Sequence, residues 1–385
     1  MSIVASVAIA CVAVSLIYYA AATVAGLRHA SRAAAPPPPL PKIAPRVALL
    51  KPLHGRAYNL ADNLTSYLEL DYPRAEYLFG VSDYSDPATD VAVGLKSLYG
   101  MARITLVVGE EPRCANHKVA KLVRMANRAP HADVIVVSDA DVFVDNDHLR
   151  RVIGELMADP AVGIVTCLYR ARARGSLASR LEALSVNTDF APMVMLSSSL
   201  EPIAYALGAT IAIRREVLEA VGGFAALKYL LADDYHLGRL VAARGYRIRL
   251  SSSLVTIVCD EARFRDFWNH QIRWARTYRT TRPVSRAAIV THGPAWALVY
   301  AVATGGRAHA LEALALVFAV RIGMGAILSR RVLGVPRMLR DLWLLPFKDL
   351  VMTGVWFASL FGKEVVWRGR RLRIRTDGTM QEVNG

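Results

Sequence analysis

Long apolar runs lie towards both ends of the chain, and shorter apolar runs alternate with helix-like segments between them. Residues 2–25 carry no charged side chain, which is about the length that an α-helix needs to cross a bilayer. Arg28, His29 and Arg32 follow at once, and basic residues beside a span favour the cytoplasmic side. The pattern predicts a transmembrane anchor over residues 1–27, with the following domain in the cytoplasm. A cleaved signal peptide is the alternative, but it typically has basic residues before its apolar run.

Prolines dominate the segment after the anchor, at positions 36–39, 41 and 45. We expect residues 28–45 to form an extended, semi-rigid linker. Beyond it, β-branched and aliphatic runs alternate with helix-like segments, at residues 47–50, 77–81, 104–108, 134–137, 163–168 and 209–213. This alternation predicts an α/β domain over residues 46–285 with a Rossmann-like, mostly parallel, doubly wound sheet. Ligands bind beyond the carboxyl ends of such strands, so the residues after each run are candidates for a site.

Three more apolar segments lie within residues 286–362. Residues 289–305 and 308–328 are separated by a Gly-Gly-Arg turn, which predicts a helical hairpin that crosses the membrane and returns. The third segment, residues 342–361, carries proline, lysine and aspartate near its middle, where charge is costly in lipid. We therefore expect an interfacial or re-entrant helix there. Residues 363–385 then form a basic cytoplasmic tail.

The composition fits a protein that lies partly in lipid, because 54% of its 385 residues are apolar. Its formal charge of +15 favours either nucleic acid or an anionic membrane surface. The arginines are spread over loops and juxtamembrane stretches without a nucleic-acid-binding motif, so we expect the lipid bilayer and no nucleic acid as the partner. Four widely separated cysteines match neither a zinc spacing nor a disulfide framework, which fits a reduced cytoplasmic domain.

Two acidic groups follow predicted strands. Asp83 lies in the sequence Ser-Asp-Tyr-Ser-Asp after the second apolar run, and Asp139 and Asp141 lie in Ser-Asp-Ala-Asp after the fourth. Two carboxylates at i and i+2 at a strand end can hold one hard cation together with a diphosphate. The alternative is that Asp139 and Asp141 only cap a turn, where aspartate is common.

A third acidic group, Asp233 and Asp234, precedes a helical pattern. Adjacent carboxylates repel each other, so one of them can have a raised pKa, which suits a general base near neutral pH. The alternative is an acidic helix N-terminus stabilised by the helix dipole.

Basic and aromatic residues complete the set of candidates. Arg273 can bind diphosphate oxygens and Trp274 can wall off a sugar or a lipid chain, although a juxtamembrane basic and aromatic belt has the same composition. Lys118 opens the helix after the third run, where a phosphate group can bind. The alternative for Lys118 is a solvated surface lysine.

The order of these clusters resembles that of the GT-A glycosyltransferases, in particular the ceramide glucosyltransferase family with its bacterial hopanoid-associated relatives, over nearly the whole chain. That family has an aspartate after the second strand, an Asp-x-Asp region, a later acidic-Asp-Tyr and a Gln/Arg-x-x-Arg-Trp motif. Residues 367–371 and 377–379 also resemble the C-terminus of the family. One position departs from the pattern, because His270 stands where the family has Gln or Arg.

The resemblance implies an inverting transfer of glucose or N-acetylglucosamine from a UDP-sugar to a hydroxyl group of ceramide or a hopanoid polyol. It implies donor binding by Asp83, Lys118, Asp139, Arg273 and Trp274, with the uridine on Asp83. Asp139 and Asp141 would hold a divalent metal, Mg²⁺ or Mn²⁺, and Asp234 would be the general base. The protein would be a multi-pass component of a bacterial inner membrane with a cytoplasmic catalytic domain.

Three other functions compete with this interpretation. A membrane nucleotidyltransferase or phosphotransferase would use the paired aspartates and a metal to attack at phosphorus. A non-catalytic adaptor would bind a nucleotide sugar without turnover, but it has no use for a base. A processive polysaccharide synthase needs a translocation channel, and the predicted hairpin offers few spans for one.

Overall fold

The structure, a computed structural model, describes residues 2–55, 57–100, 103–367 and 370–383. Two residues of the C-terminal motif, Arg368 and Gly369, lie outside the described residues, as do Met1 and residues 384–385.

The apolar N-terminal run forms helix α1, Ile3–Ala33. The side chain of Ser2 caps this helix by accepting a hydrogen bond from the N–H of Ala5. The helix continues beyond the apolar run, so residues 28–33, which we expected in the linker, are helical. Residues 34–46 contain neither helix nor strand, as expected for a proline-rich linker.

Eight strands of the described chain form the central sheet: β1 (Val47–Pro52), β2 (Ala75–Val81), β3 (Ile104–Val108), β4 (Val134–Val137), β5 (Val142–Phe143), β6 (Val162–Ala173), β7 (Ile211–Arg214) and β8 (Arg247–Cys259). The six predicted runs correspond to β1 to β4, β6 and β7. The pattern does not predict β8, because two arginines and the serines at 251–253 interrupt its apolar positions.

Helices connect these strands: α2 (Leu60–Leu68), α3 (Ala88–Tyr99), α4 (His117–Arg128), α5 (His148–Met157), α6 (Leu177–Ser185), α7 (Ala191–Leu200), α8 (Arg215–Ala220) and α9 (Asp233–Ala243), with α10 (Phe264–Thr281) after β8. A π-helical turn, Val186–Phe190, joins α6 to α7, and a 3₁₀ turn, Phe224–Leu227, precedes α9.

The strand order within the described residues is β3-β2-β1-β4-β7-β6-β8-β5. Strands β1 to β4 are parallel to one another, β7 is antiparallel to β4 and β6, and β6 and β8 are parallel. Every residue of β1 is buried, since Leu49 faces one hydrophobic core and Leu50 faces the other. The predicted α/β class with a mostly parallel sheet is confirmed, and the carboxyl ends of β1 to β4 meet at one edge.

The C-terminal apolar region contains two packed helices at the place of the predicted hairpin, and the first is shorter than predicted. It contains α11 (Gly293–Ala303), α12 (Ala308–Ile327) and α13 (Leu345–Ser359), together with 3₁₀ segments at Pro283–Thr291 and Pro336–Leu344 and a π-helical turn at Leu328–Val332. Among the described residues, Ile3–Ala33 and Ala308–Val332 are long and apolar enough to cross a membrane. At 1.5 Å per residue, α11 is only about 16 Å long, roughly half of a hydrocarbon core.

The charges in the third apolar segment pair with other charges inside the protein. Lys348 is fully buried, and its Nζ lies 2.6 Å from Asp189 and 2.5 Å from Asp349. Arg321 of α12 binds Asp349 at 3.0 Å and also contacts Asp189. We expected these charges to draw the segment to the interface, but the protein itself compensates two cations with two anions, so the charges alone do not indicate an interfacial position.

The predicted basic tail contains a small sheet. Its three strands within the described residues are β9 (Glu364–Trp367), β10 (Arg370–Ile374) and β11 (Met380–Glu382), and they are antiparallel. Apolar residues of this sheet, including Leu372 and Ile374, pack on Leu231, while Arg371 and Arg373 are exposed. Thr379 also pairs with Leu230, so the sheet lies against the segment that leads into α9.

Replacing Arg321 should destabilise the C-terminal helices. Arg321→Gln leaves Asp189 and Asp349 with Lys348 as their remaining cation, and removing one member of a buried ionic group costs about 3–5 kcal/mol. We expect a lower unfolding midpoint for the purified variant in detergent. Arg331→Gln, at an exposed position in the same region, is the matched control. Equal midpoints for the two variants would contradict a stabilising role of the buried ionic group.

Candidate functional site

Lys118 lies at the centre of the polar edge of the sheet, in the first turn of α4. Its Nζ is 2.8 Å from Oδ1 of Asp139, which follows β4, and 3.4 Å from Oδ2 of Asp233, which opens α9. The side chain of Asn116 caps α4 by accepting hydrogen bonds from its first turn, and it donates to the carbonyl of Leu230. Local helix capping therefore fixes the backbone from which Lys118 extends.

Gly208 is the point at which three predicted residues, Lys118, Asp139 and Asp234, converge. Its N–H donates a 2.8 Å hydrogen bond to Oδ2 of Asp234. A Cβ atom at this position would lie 3.1 Å from Asp234, 3.2 Å from Asp139 and 3.4 Å from Nζ of Lys118. With Asp233 bound to the same lysine, residues from β4, α4 and α9 form one cluster. Our reading of the sequence missed Gly208, because no local pattern marks a close approach between distant segments.

Asp234 carries a perturbed carboxyl group. Burial and the neighbouring Asp233 raise the pKa of Asp234 to about 6, although Lys118 and the N–H of Tyr235 act in the opposite direction. The group is therefore mostly ionised at neutral pH and can accept a proton, which suits general base chemistry.

Asp139 and Asp141 occupy the turn after β4. Asp139 is half-exposed and bound to Lys118, while Asp141 is exposed in the cleft. The surrounding protein and the nearby Asp139 carboxylate raise the pKa of Asp141. Two crowded carboxylates that face an open cleft fit a hard divalent cation, which binds oxygen ligands and relieves their repulsion.

The buried side chain of Lys51 holds this turn in place. The sequence analysis did not predict a role for this lysine. Nζ of Lys51 donates to the carbonyl of Asp139 at 2.8 Å and to Oγ of Ser138 at 3.2 Å, and it lies 3.6 Å from the ring centroid of Tyr67. Burial lowers the pKa of Lys51 to about 7, although Asp141 and Asp139 oppose this shift. The available signal was a lysine at the end of an otherwise apolar strand.

Asp83 follows β2 and is exposed. It accepts hydrogen bonds from the backbone and the hydroxyl of Ser85, which lower its pKa. Beside it, Ser82 and Lys121 both bind Glu110, which comes shortly after β3. The rule that predicts Asp83 applies equally to Glu110, so its position at a strand end was a usable signal.

Aromatic side chains surround Trp274 of the α10 motif. The Trp274 ring lies 5.7 Å from Phe190 and 6.4 Å from Tyr278, measured between centroids. Burial and the negative charge of Asp234 raise the pKa of Tyr278, whereas the positive charge of Arg273 lowers it. The Tyr278 hydroxyl therefore lies within electrostatic range of both Arg273 and Asp234.

His270, the residue that departs from the family pattern, binds two glutamates. Its Nδ1 lies 3.0 Å from Glu182 and 3.5 Å from Glu261. Burial disfavours the charged imidazole, but these carboxylates raise the pKa of His270 to about 9. The side chain of Gln271 donates to both oxygens of Glu182 at 2.9 Å.

Comparison with known proteins shows which family the chain matches. A family model described as glycosyl transferase family 21 matches residues 7–380. The chain is 25% identical over 232 residues to ceramide glucosyltransferase 3 of Caenorhabditis elegans, covering 60% of this chain and 50% of that protein. It is 21% identical over 356 residues to ceramide glucosyltransferase 1 of the same organism, covering 88% and 75%. The chain thus spans about half the length of the first relative and three quarters of the second.

One solved structure shares the fold over most of the chain. It is the mannosyltransferase PcManGT from Pyrobaculum calidifontis in complex with GDP-Man and Mn²⁺, with a TM-score of 0.52. The match covers 93% of this chain and 99% of that chain at 22% sequence identity. At this level of identity the similarity shows the shared fold alone.

Proposed function

Because the chain belongs to glycosyl transferase family 21 and is therefore a glycosyltransferase, we propose that it transfers glucose or N-acetylglucosamine from a UDP-sugar to a membrane lipid. The acceptor is a hydroxyl group of ceramide or a hopanoid polyol, and the transfer inverts the configuration at the sugar carbon. The observation that carries this proposal is the cluster around Gly208, where Lys118, Asp139 and Asp234 meet.

Donor binding is assigned to the edge formed by the carboxyl ends of β1 to β4. Asp83 holds the uridine, and Asp139 and Lys118 lie where the ribose and diphosphate would follow. The structure of PcManGT, which shares the fold, holds GDP-Man and Mn²⁺, and this supports a nucleotide sugar and a metal here. Asp139 and Asp141 would hold Mg²⁺ or Mn²⁺, which supplies positive charge beside the diphosphate as it leaves.

Asp234 is assigned as the general base. It accepts the proton of the lipid hydroxyl while the hydroxyl oxygen attacks the anomeric carbon, on the face opposite the diphosphate. The bond from that carbon to the diphosphate oxygen breaks, and UDP leaves with the electron pair. Burial opposes the charge on Lys118, but Asp139 and Asp233 raise its pKa far above neutral, so Lys118 stays a fixed cation. Arg273 and Trp274 are assigned to the donor site as well, where the guanidinium would offset charge on the diphosphate.

The lipid acceptor is assigned to the side of the cleft that adjoins the apolar helices. The Phe190 ring lies 5.7 Å from that of Trp274, measured between centroids, and α10, which carries Trp274, packs against the apolar helix α13. Exposed Trp343 and Phe361 have the composition of a membrane-interface belt. These features support a membrane enzyme with a cytoplasmic catalytic domain that takes its acceptor from the bilayer.

A donor and acceptor panel tests the proposal. We expect purified full-length protein in lipid to release UDP from one UDP-sugar, with either ceramide or a hopanoid polyol, when divalent metal is present. An equal amount of glycolipid should form, and NMR of the product should show an anomeric configuration opposite to that of the donor. No UDP release in any combination would refute the proposal and favour the phosphotransferase or the adaptor.

Asp234→Asn should reduce the transfer rate without weakening donor binding. We expect transfer to fall by about 10²–10⁴-fold, the usual contribution of a positioned base, with UDP-sugar affinity nearly unchanged. Asp141→Asn should instead weaken metal-dependent donor binding as well. Transfer rates and calorimetric titration with the UDP-sugar measure the two effects, and Asp90→Asn, at an exposed position on α3, is the control.

The pH dependence of the wild-type protein follows from the same assignment. The base must be ionised, so transfer should decline as the pH falls through about 6, where Asp234 takes up a proton.

Undiminished transfer by Asp234→Asn would mean that another group accepts the proton.

Gly208→Ala should impair transfer without unfolding the protein. The added methyl group would lie within 3.1–3.4 Å of Asp234, Asp139 and Lys118, so these side chains must shift by a few tenths of an ångström. Such misplacement of reacting groups should lower the transfer rate by about 10–100-fold. Gly94→Ala is a matched control, because a Cβ atom there has no heavy atom within 4 Å among the described residues. If both variants retain full activity, the close convergence at Gly208 is not needed for catalysis.

A further inference from the structure

A second group of ligand atoms lies beside the cleft, on residues that have no role in the proposed reaction. It consists of Glu182 on α6, Glu261 between β8 and α10, and His270 on α10. One ligand atom from each of these residues lies within 4.8 Å of the other two. Three separate elements therefore contribute one potential ligand each to a common centre.

The spacing of these atoms matches that of ligands around a small divalent cation. Nδ1 of His270 is 3.0 Å from Oε1 of Glu182 and 3.5 Å from Oε1 of Glu261. A cation with bonds of about 2.0–2.2 Å holds neighbouring ligand atoms roughly 3.0–3.5 Å apart. The two measured distances fall in this range without any rearrangement of the backbone.

One atom of the group lacks a hydrogen-bond partner. Oε2 of Glu261 is buried and accepts no hydrogen bond within the described part of the chain, whereas Nδ1 of His270 contacts both carboxylates. Buried polar atoms without partners are rare in native proteins and are explained in many cases by an ion or a water molecule. Glu182, whose side chain is 1% exposed, is held in orientation by Gln271, as the carboxylate ligands of metal sites are by a second layer of residues.

We propose that Glu182, Glu261 and His270 form a binding site for a divalent cation of the Zn²⁺ type, separate from the cation at Asp139 and Asp141. One imidazole nitrogen and two carboxylates suit such a cation and leave its remaining positions to water. The charge of the two glutamates is then balanced by the cation. The bound ion joins α6, the end of β8 and α10, and so fixes the helix face that carries Trp274, whose ring lies 4.9 Å from the His270 ring. The competing explanation is an ion pair of a protonated His270 with the two glutamates.

Zinc binding to full-length protein in lipid, freed of metal with a chelator, tests the site without any sugar donor. The Asp139→Asn/Asp141→Asn double variant removes the other cation site. We expect this variant to bind one Zn²⁺ per chain by calorimetric titration. Adding Glu261→Gln to it should weaken binding by at least about tenfold, and His270→Gln should do the same.

Asp260→Asn in the same background is the matched control, because it removes an exposed carboxylate next to Glu261 and should leave the Zn²⁺ affinity unchanged. Glu261→Gln decides the outcome if His270→Gln fails to fold, since Glu261 lies outside the helices. The proposal is overturned if the double variant binds no Zn²⁺, or if Glu261→Gln and Asp260→Asn bind it equally well. The ion pair is then the explanation. Because the measurement uses no donor or acceptor, its failure is independent of the transfer assay.

Discussion

The ammonium group of Lys118 lies between Asp139, which follows β4, and Asp233, which opens α9. These two segments are far apart in sequence, and both carry negative charge into the same cleft. Without a cation between them, the carboxylates would repel each other and push the start of α9 away from the turn after β4. The position of Asp234, and hence the direction from which it can take a proton, depends on this contact and on the N–H of Gly208.

The parts of the fold that the sequence predicts are those in which burial is uniform. Strands β1 and β4 are buried along their whole length, so their residues are mainly apolar, and the polar side chain of Asp139 marks the end of β4. The pattern of apolar runs does not predict strands that have one polar or solvent-exposed face. Strand β8 carries serines and arginines, and β10 alternates arginine with leucine and isoleucine. The polar and charged positions interrupt the apolar runs, so the apolar pattern did not predict either strand.

Contacts between distant residues could not be predicted from local pattern either. Lys51 reads as a strand residue, yet its ammonium group holds the turn that carries Asp139. Lys348 and Asp349 read as charges that must reach water, but Arg321 and Asp189 lie beside them in the folded chain. Hydropathy measures the preference of each residue for water or an apolar environment. The free-energy cost of a buried charge depends instead on the charged group that pairs with it, and spacing along the sequence does not identify that group.

The small sheet of β9 to β11 has a consequence for the order in which the protein is made. These strands follow α11 to α13 in the chain, yet they pack on Leu231 and pair at Leu230, just before Asp233. A ribosome therefore synthesises the apolar helices before it synthesises the strands that pack on the loop leading into α9. The loop that leads into α9 therefore cannot make its contacts at Leu230 and Leu231 until the apolar helices have already left the ribosome.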